Sequence, residues 1–270
     1  MSSPKKRNSD NTYVVQSNDL IMRYSHNLNA RQAKVLSFLI STIDTTDSTL
    51  PAIHVDYKTL MKLIGENKAI RGRPRIEAFL NKLSKTVFYS IDGDQISVFP
   101  WFSAVHINFQ NTESVLFMFN PMLKQFLIQL SSNFTRYSLA EVLDFKLQYS
   151  FKLYDLFCAY SYKGELDLDL DELRRILNLE NERESSSKFK QFKDLNRRVL
   201  SPSIEEINEK SNLHIECSIL PSAEDGRKTK GVHFKISKKE VDQVVPILPS
   251  FTVNKFHSTT GIPIKEIKLV

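Results

Sequence analysis

Between Lys188 and Leu200 the apolar positions of the chain recur with the 3.6-residue period of a helix. One face of the predicted helix collects apolar side chains, namely Phe189, Phe192, Leu195, Val199 and Leu200. The opposite face collects polar and mostly basic side chains, namely Lys190, Gln191, Lys193, Asp194, Arg197 and Arg198. Taken alone, this pattern also fits an ordinary solvated helix face. Whether the basic residues bind a partner must be judged from the surrounding sequence.

A weak internal repeat relates this region to the first half of the chain at a constant offset of 113 residues. One acidic and six apolar positions recur, in the pairs Asp56 and Asp169, Leu60 and Leu173, Leu63 and Ile176, Ile64 and Leu177, Ile76 and Phe189, Phe79 and Phe192, and Val87 and Leu200. The match is imperfect, because Leu83 falls on Asn196. Apolar positions recur by chance in any helical protein, so the offset alone is moderate evidence for duplication.

Each copy predicts the same order of elements. A short strand, Ile53–Val55 or Leu166–Leu168, leads to an aspartate that can cap a short helix over 57–64 or 170–177. A polar loop separates this helix from a longer one. In the first copy the loop is GENKAIRGR, and Pro74 is predicted at the first position of the longer helix. The predicted core face of that helix is Ile76, Phe79, Leu80, Leu83 and Val87, and its outer face is Ala78, Asn81, Lys82 and Lys85.

A hairpin follows the longer helix in each copy. TVFYSIDGDQISVF alternates around the turn residues Asp92, Gly93 and Asp94, and LHIECSIL and GVHFKIS flank a basic tip, PSAEDGRKTK. Helix, loop, helix and hairpin is the order of a winged helix, in which the second helix enters the major groove of DNA. The basic tip is compatible with a solvated turn, but beside a basic helix we favour contact with the DNA backbone.

The fold class predicted from this pattern is α+β, with two tandem winged-helix domains joined by a helical connector. Asn29 is predicted to cap a helix before the first copy, and an aromatic segment from about Gln148 to Tyr162 is the predicted connector, largely buried. The expected domain limits are 13–130 and 131–240, between a disordered basic tail over 1–12 and an unplaced tail over 241–270.

Composition and net charge indicate which kind of partner and which cellular compartment to expect. The chain has 270 residues, a net charge of +6 and only seven glycines, which favours a polyanionic partner and argues against Gly-rich phosphate loops. Cys158 and Cys217 lie far apart, which predicts a reducing compartment and neither a disulfide framework nor a zinc site. Without a secretion signal or a membrane-spanning run, a cytoplasmic location is expected.

Several segments of the chain resemble the initiator Rep proteins of theta-replicating plasmids with iteron origins. The matching text is NDLIMRYSHNLNARQAKVLSFLI, YSFKLYDLFCAYSYKGELDLDLDELRRILNL, FKQFKDLNRRVLSPSIEEINEKSNLHIEC and GRKTKGVHFKIS. The resemblance covers about 14–237, and the second half carries the more specific motifs. It implies two winged-helix domains in a pseudo-twofold arrangement, with Glu205, Glu206 and Asn208 in a structural segment that fixes the second recognition helix against its hairpin.

The same resemblance implies double-stranded DNA as the partner, bound at direct repeats of an origin, together with opening of the adjacent AT-rich DNA. It also implies host replication initiator and helicase proteins as partners, and a homodimer that represses the chain's own gene at an inverted repeat. The expected DNA-binding residues are Arg71, Arg73, Arg75, Lys82, Lys85, Lys188, Lys190, Lys193, Asn196, Arg197, Arg198, Arg227, Lys228 and Lys230. The apolar N-terminal helices could supply a dimer face, but a core role is favoured.

Enzyme classes that act on DNA are disfavoured by missing motifs. A rolling-circle initiator needs a metal held by a His-x-His pair, and the six histidines contain none. A helicase or other NTPase needs a GxxxxGK loop, which the sequence lacks. We therefore expect no enzymatic activity, no metal and no cofactor. A transcriptional repressor without a role in replication stays open, because winged helices serve both functions.

Overall fold

The computed structural model describes residues 5–7, 12–65, 69–92, 95–108, 114–179, 189, 191–222, 229–239, 251–257 and 263–269. The N-terminal half runs, in order, through β1 (Lys5–Arg7), β2 (Tyr13–Ser17), α1 (Asn18–Arg23), β3 (Tyr24–His26), α2 (Ala30–Ser41), β4 (Ala52–Asp56), α3 (Tyr57–Leu63), α4 (Ala69–Ser84), β5 (Val87–Asp92), β6 (Gln95–Pro100), β7 (Phe102–Asn108) and β8 (Ser114–Phe119). Helix α3 packs against β4, α4 packs against β7, and α2 packs against β2 and α3. Each helix buries the apolar face that its periodicity predicts.

The connector and the C-terminal half follow with a second, shorter set of elements. These are α5 (Lys124–Leu127), β9 (Phe134–Ser138), α6 (Leu139–Leu143), α7 (Gln148–Tyr160), β10 (Glu165–Asp169), α8 (Leu170–Ile176), α9 (Phe192–Leu195), a π-helical segment (Asn196–Leu200), α10 (Ser201–Lys210), β11 (Leu213–Pro221) and β12 (Thr229–Lys238), and after them β13 (Phe251–His257) and β14 (Pro263–Leu269). In none of the described helices is there an apolar stretch long enough to cross a bilayer.

The predicted helix starts agree with the observed capping bonds. The Asn29 side chain accepts a hydrogen bond from the backbone N–H of Gln32 at 3.1 Å, and the side-chain oxygen of Gln32 accepts one from the backbone N–H of Asn29 at 3.0 Å, which forms a capping box. Asp56 caps α3 in the same way by accepting from the N–H of Thr59. Asp169 occupies the capping position of α8, but no side-chain bond accompanies it.

The 113-residue repeat extends to the way the short helices end. In α3 and its equivalent α8 the same backbone bonds close the last turn, with Ile64 and Leu177 each donating to the residue four positions earlier. The next residue in each copy, Gly65 or Asn178, has a positive φ, +74° and +55° respectively. Glycine and asparagine are the residues that adopt this left-handed conformation at a helix end most readily.

The hairpin predicted after α4 forms, but a later hairpin is the one that pairs with β4. Strands β5 and β6 form over the predicted segment, but β5 pairs with β3, whereas β4 pairs with β8 of the following hairpin. In the C-terminal half β10 pairs with β12 of the only predicted hairpin, so β7 and β8 are the topological equivalents of β11 and β12. Every position of β8 after Ser114 is apolar, in the run SVLFMF. The sequence of this strand therefore lacks the alternation of apolar and polar residues that usually predicts a strand.

Two predicted features of α4 are wrong. Val87 lies in β5 and not on the helix, because bonds from Lys85 and Thr86 to the carbonyls three residues earlier tighten and end the last turn. The helix also begins at Ala69, so Pro74 lies inside it and not at its first position. Pro74 is the sixth residue of α4, so it removes one backbone hydrogen bond of the helix, while its fixed φ angle is compatible with the helical backbone.

Both predicted tails contain strands. Lys5–Arg7 form β1, which pairs with β13, so the expected disordered segment over 1–12 is wrong for these residues. The region after 240 is likewise more than a tail: β13 pairs with β14, and β14 runs parallel to β4. The outer strands therefore extend the sheet of the N-terminal domain in the order β1-β13-β14-β4-β8-β7, because the edge of β4 offers backbone groups that must be paired.

The connector α7 is buried between the two halves, as predicted, and ends at Tyr160. Its side chains Tyr154 and Phe157 are fully buried. The ammonium of Lys152 donates to the carbonyls of Ile21 and Tyr24, both at 2.8 Å, at the C-terminal end of α1. From the C-terminal half, Glu206 on α10 accepts from the backbone N–H groups of Lys146 and Leu147, just before α7 begins. Both halves thus hydrogen-bond to the same connector.

Glu206 gives this contact a defined pH dependence. Burial acts to raise the pKa of its carboxyl, but hydrogen bonds from Lys210 and from the backbone N–H groups of Lys146 and Leu147 outweigh burial, so the pKa lies below its usual value. A carboxyl whose pKa is lowered on folding stabilises the protein above its unfolded pKa, near 4.3, and that contribution is lost as the pH falls through the folded pKa.

We expect Glu206→Gln to lower the free energy of unfolding by about 1–3 kcal/mol at pH 7, because buried donors lose an ionised acceptor. Urea unfolding at pH 7 and below pH 4 measures the effect, and the difference from wild type should shrink at the lower pH. Glu205→Gln, at the exposed neighbouring position, is the matched control and should behave like wild type. A pH-independent loss would contradict the role of the carboxylate charge.

Candidate nucleic-acid interface

The second helix of the C-terminal domain presents cations on one side and packs the other into the core. Leu195, Val199 and Leu200 are buried. Lys193, Arg197 and Arg198 are exposed, so the two faces lie as the periodicity predicts. Asn196 is half-buried at the boundary between the faces, and its side-chain oxygen accepts a hydrogen bond from the Ser201 hydroxyl at 3.2 Å.

The start of this helix differs from the prediction. The helix begins at Phe192 with Gln191 as its capping residue, and not at Lys188. Phe189 has a φ of +91°, a left-handed conformation that a right-handed helix cannot include. Phe189 still packs against the core, as predicted, whereas Lys188 and Lys190 lie outside the described residues.

A π-helical segment interrupts the helix between α9 and α10, and Pro202 accounts for it. Proline has no N–H to donate to the carbonyl of Arg198, and its ring would collide with that carbonyl in a regular α-helix. The backbone instead widens by one residue, and the N–H of Ser201 donates to the carbonyl of Asn196, five positions earlier. Such a turn rotates the basic part of the helix relative to α10, and π-bulges occur frequently at functional sites.

Asp194 orients the arginines of the basic face. Its carboxylate accepts from Arg197 at 3.1 Å and lies 4.0 Å from Arg198. All three side chains are substantially exposed, so each pair contributes at most about 1 kcal/mol to folding. Their effect is geometric, since they hold two guanidinium groups against the helix surface. The helical period predicts Asp194 on this face, and its pairing with the two arginines is seen only in the structure.

Asn208 fixes helix α10 against the first strand of the hairpin, β11. Its side chain donates to the carbonyl of Ile215 at 2.9 Å and accepts from the N–H of the same residue at 2.7 Å, which mimics a strand partner for β11. The predicted structural role of Asn208 is thereby confirmed. Glu206 holds the connector and not the hairpin, and Glu205 is exposed, so these two residues differ from the expectation.

Near its tip, the hairpin of the C-terminal domain is held by a close backbone approach to β10. A Cβ atom on Gly231 would lie 2.3 Å from the carbonyl oxygen of Leu168 on β10, so only glycine fits. Lys230, immediately before it, is exposed. Arg227 and Lys228 lie in the part of the tip that falls outside the described residues.

The corresponding helix of the N-terminal domain, α4, has the same two-sided character. Ile76, Leu80 and Leu83 are buried. Its outer face exposes three of the predicted site residues, Arg75, Lys82 and Lys85. Arg71 and Arg73 belong to the first turns of α4, but their side chains are outside the described set. Each domain therefore places basic residues on the solvent side of its second helix.

Among the described residues, no three or more His, Cys, Asp or Glu side chains are grouped so as to hold a metal ion. An internal cavity of about 30 Å³, lined by Gln16, His26, Lys152 and Asp155 among others, has room for a water molecule. Burial raises the pKa of Asp155 to about 6 and lowers that of Lys152 to about 8.

Two family models cover most of this architecture. Residues 13–158 match the model described as Initiator Replication protein, WH1, and residues 169–236 match Initiator Rep protein, WH2. The chain belongs to the initiator Rep protein family. The predicted fold class, two winged-helix domains in a mixed helix and sheet structure, is thereby confirmed.

Individual relatives agree with this family. A replication initiation protein of Escherichia coli is 28% identical over 123 residues, which are 44% of this Rep chain and 36% of the relative, so the match spans about a third of that protein's length. The solved structure of Pi initiator protein in complex with iteron DNA superimposes with a TM-score of 0.61 at 16% identity. That match covers 85% of this chain and 98% of the Pi chain, and it supports the fold.

We expect Asn208→Ala to destabilise the C-terminal domain by about 1–3 kcal/mol, because the backbone N–H and carbonyl of Ile215 both lose their partner. Thermal and urea unfolding measure the change. Glu209→Ala, at the exposed neighbouring position, is the matched control and should stay within about 0.5 kcal/mol of wild type. Equal effects of the two substitutions would mean that the helix is not anchored through Asn208.

Proposed function

We propose that this chain initiates replication of a plasmid by binding repeated DNA sequences at the origin through its two winged-helix domains. The observation that carries the proposal is the exposed basic face of the second helix in a domain of the initiator family, with Lys193, Arg197 and Arg198 opposite a buried apolar face. The net charge of +6 suits a polyanionic partner. The fold shared with Pi, which was solved with iteron DNA, supports the same conclusion.

The two second helices would enter major grooves about one helical turn, roughly 34 Å, apart on the duplex. Side chains at helix ends and hairpins would bind phosphates and set the register, while outward-facing side chains of the helices read base edges. The proposed contact residues are those predicted from the sequence: Arg71, Arg73, Arg75, Lys82, Lys85, Lys188, Lys190, Lys193, Asn196, Arg197, Arg198, Arg227, Lys228 and Lys230.

The proposal extends to the later steps of initiation. Once bound, the protein would promote opening of AT-rich DNA beside the repeats and recruit the host initiator and helicase. A dimer of the same chain would bind an inverted repeat at its own promoter and repress transcription. These steps rest on membership of the initiator Rep family, whose models match residues 13–158 and 169–236.

Footprinting of the purified protein on the DNA that flanks its own gene tests the function, with a salt titration alongside. We expect protection of tandem repeats of about two helical turns each, beside an AT-rich stretch. Protection confined to one inverted repeat at the promoter would replace the proposal with a transcriptional repressor. Cleavage of one strand would contradict both, since neither role includes a nuclease.

We expect Arg197→Ala to reduce discrimination between the specific repeat and unrelated DNA by about 10- to 100-fold, because a bidentate arginine–guanine contact is worth about 1–3 kcal/mol. Fluorescence anisotropy on both DNAs measures the ratio. Arg23→Ala is the matched control, since Arg23 is also exposed and makes a similar ion pair within one helix, to Asp19 at 3.4 Å on α1. Equal loss of specific and nonspecific binding for Arg197→Ala would refute base reading.

A phosphate contact should respond differently, and Lys230 provides the comparison. We expect Lys230→Ala to weaken binding to all sequences by a similar factor and to reduce the slope of log affinity against log salt by about one. The same anisotropy series, repeated from low to moderate salt, gives that slope. An unchanged slope would place Lys230 away from the DNA backbone.

A further inference from the structure

A polar pocket lies at the junction of the two domains, and both domains line it. The N-terminal domain contributes His26, at the end of β3, and Asn27. The C-terminal domain contributes Asn178, just after α8, and the connector α7 contributes Gln148, Tyr149 and Lys152. This junction pocket has a volume of about 70 Å³. A water molecule needs about 10–15 Å³ of such space, so the pocket has room for roughly as many non-hydrogen atoms as a phosphate group contains.

The buried ammonium of Lys152 borders the junction pocket and has one donor to spare. The side chain is only 5% exposed. The carbonyls of Ile21 and Tyr24 accept two of its three N–H groups. Within the described ranges of the chain, no atom accepts the third N–H and no carboxylate forms an ion pair with the ammonium. A buried donor without an acceptor is costly, and a ligand in the pocket can satisfy it.

The charges around Lys152 make the junction pocket positive. Asp155, one turn further along α7, attracts the ammonium, but it lines the smaller cavity of about 30 Å³ and not this pocket. Burial lowers the pKa of Lys152 to about 8, and the nearby guanidinium of Arg175 on α8 acts in the same direction. His26 is neutral, because burial lowers the pKa of its imidazole to about 3. At neutral pH the described lining thus carries a positive charge and no carboxylate.

The start of α7 adds backbone donors beside the same pocket. Gln148 and Tyr149 are the first two residues of this 13-residue helix, so their N–H groups have no carbonyl to bond within it. The capping residue Leu147 makes no side-chain hydrogen bond to them. Glu206 accepts from the N–H groups of Lys146 and Leu147, one step earlier in the chain. The helix dipole adds partial positive charge at this end.

Three side-chain amides surround the opening of the junction pocket. Asn27 and Gln148 are exposed and Asn178 is half-buried. None of the three side chains makes a hydrogen bond to another residue that the structure describes. Asn178 has a φ of +55°, a left-handed conformation that few residue types adopt readily. The pocket therefore combines a buried cation, backbone N–H groups and amide donors, which is the chemistry that binds a phosphate group.

We propose that the junction pocket binds a phosphate group, which bridges the two domains across the start of α7. The ammonium of Lys152 supplies the charge, and the N–H groups of Gln148 and Tyr149 donate to the oxygens. The amides of Asn27 and Asn178 complete the site from opposite domains, so the bound group fixes one domain against the other. Two sources supply this chemistry, free inorganic phosphate and the backbone of bound DNA, and only the second rests on the proposed function.

Isothermal titration calorimetry of the full chain with inorganic phosphate tests the site without DNA. We expect one phosphate to bind per chain. Asn178→Asp should weaken that binding at least about tenfold, because it adds a negative charge to the wall of the pocket, while aspartate tolerates the left-handed backbone. Asn133→Asp is the matched control and should bind like wild type. Asn133 also has a left-handed φ, +51°, and is exposed, but it lies outside the pocket.

Gln148→Glu provides a second variant in case Asn178→Asp does not fold, as judged by circular dichroism. A glutamate in the first turn of α7 suits the helix dipole, but its charge repels the ligand, so phosphate binding should again fall at least about tenfold. Hydrogen exchange measured by NMR locates the ligand. In wild type and Asn133→Asp, phosphate should slow exchange of the N–H groups of Gln148 and Tyr149 at least about tenfold.

Fluorescence anisotropy with repeat DNA in phosphate-free buffer distinguishes the two sources. If the pocket takes a phosphate of the DNA backbone, Asn178→Asp weakens DNA binding more than Asn133→Asp does, and it lowers the slope of log affinity against log salt by about one. If the pocket takes free phosphate, the two variants bind DNA equally and the DNA complex retains its phosphate.

Two results would overturn the proposal. One is the absence of saturable phosphate binding together with equal DNA binding by Asn178→Asp and Asn133→Asp. The other is phosphate binding that neither Asn178→Asp nor Gln148→Glu weakens. The calorimetric result needs no DNA, so failure of the footprinting experiment to show protected repeats would leave it standing.

Discussion

Burial of charged side chains around the connector helix α7 is the constraint on which the rest of the structure depends. A buried charge is tolerated only where its partners are fixed, because removing it from water costs several kcal/mol. The N-terminal domain supplies the carbonyls that receive Lys152, and the C-terminal domain supplies the carboxylate of Glu206 to the start of α7. A smaller contact continues the same junction, where the Ser25 hydroxyl donates to the carbonyl of Arg175 at 2.6 Å. The two domains are thereby held to one helix by directional bonds and not by apolar area alone.

The elements that could be predicted from sequence are those whose signal is local. Asn29 and Asp56 cap helices because a short polar side chain just before an amphipathic helix can accept a hydrogen bond from a free backbone N–H of its first turn. The spacing of apolar residues predicts the amphipathic helices. Leu195 and Val199 are buried and Arg197 and Arg198 are exposed, as the 3.6-residue period predicts. Family motifs then gave the two-domain fold, which spacing alone had only suggested.

The features that could not be predicted depend on contacts between distant parts of the chain. A lysine in IKEIK is expected to face water, and only the end of α2 together with Asp47 makes a buried position for Lys265. The pairing of β4 with β8 instead of β6 is likewise a choice among strands that the sequence leaves equivalent. The second helix of the C-terminal domain departs from a regular helix at two points. The left-handed φ of Phe189 moves the start of the helix, and the π-turn before Pro202 rotates its basic face.

The sheet of the first domain takes strands from both ends of the chain, with β1 and β14 lying on either side of β13. In topological terms the second winged-helix domain is an insertion within a discontinuous first domain. A ribosome releases residues 263–269 only after the whole second domain has been made, so the first domain cannot complete its sheet during most of synthesis. The nascent chain must therefore carry an open strand edge until translation has passed residues 263–269, and a substitution in β14 would destabilise the domain that is made first.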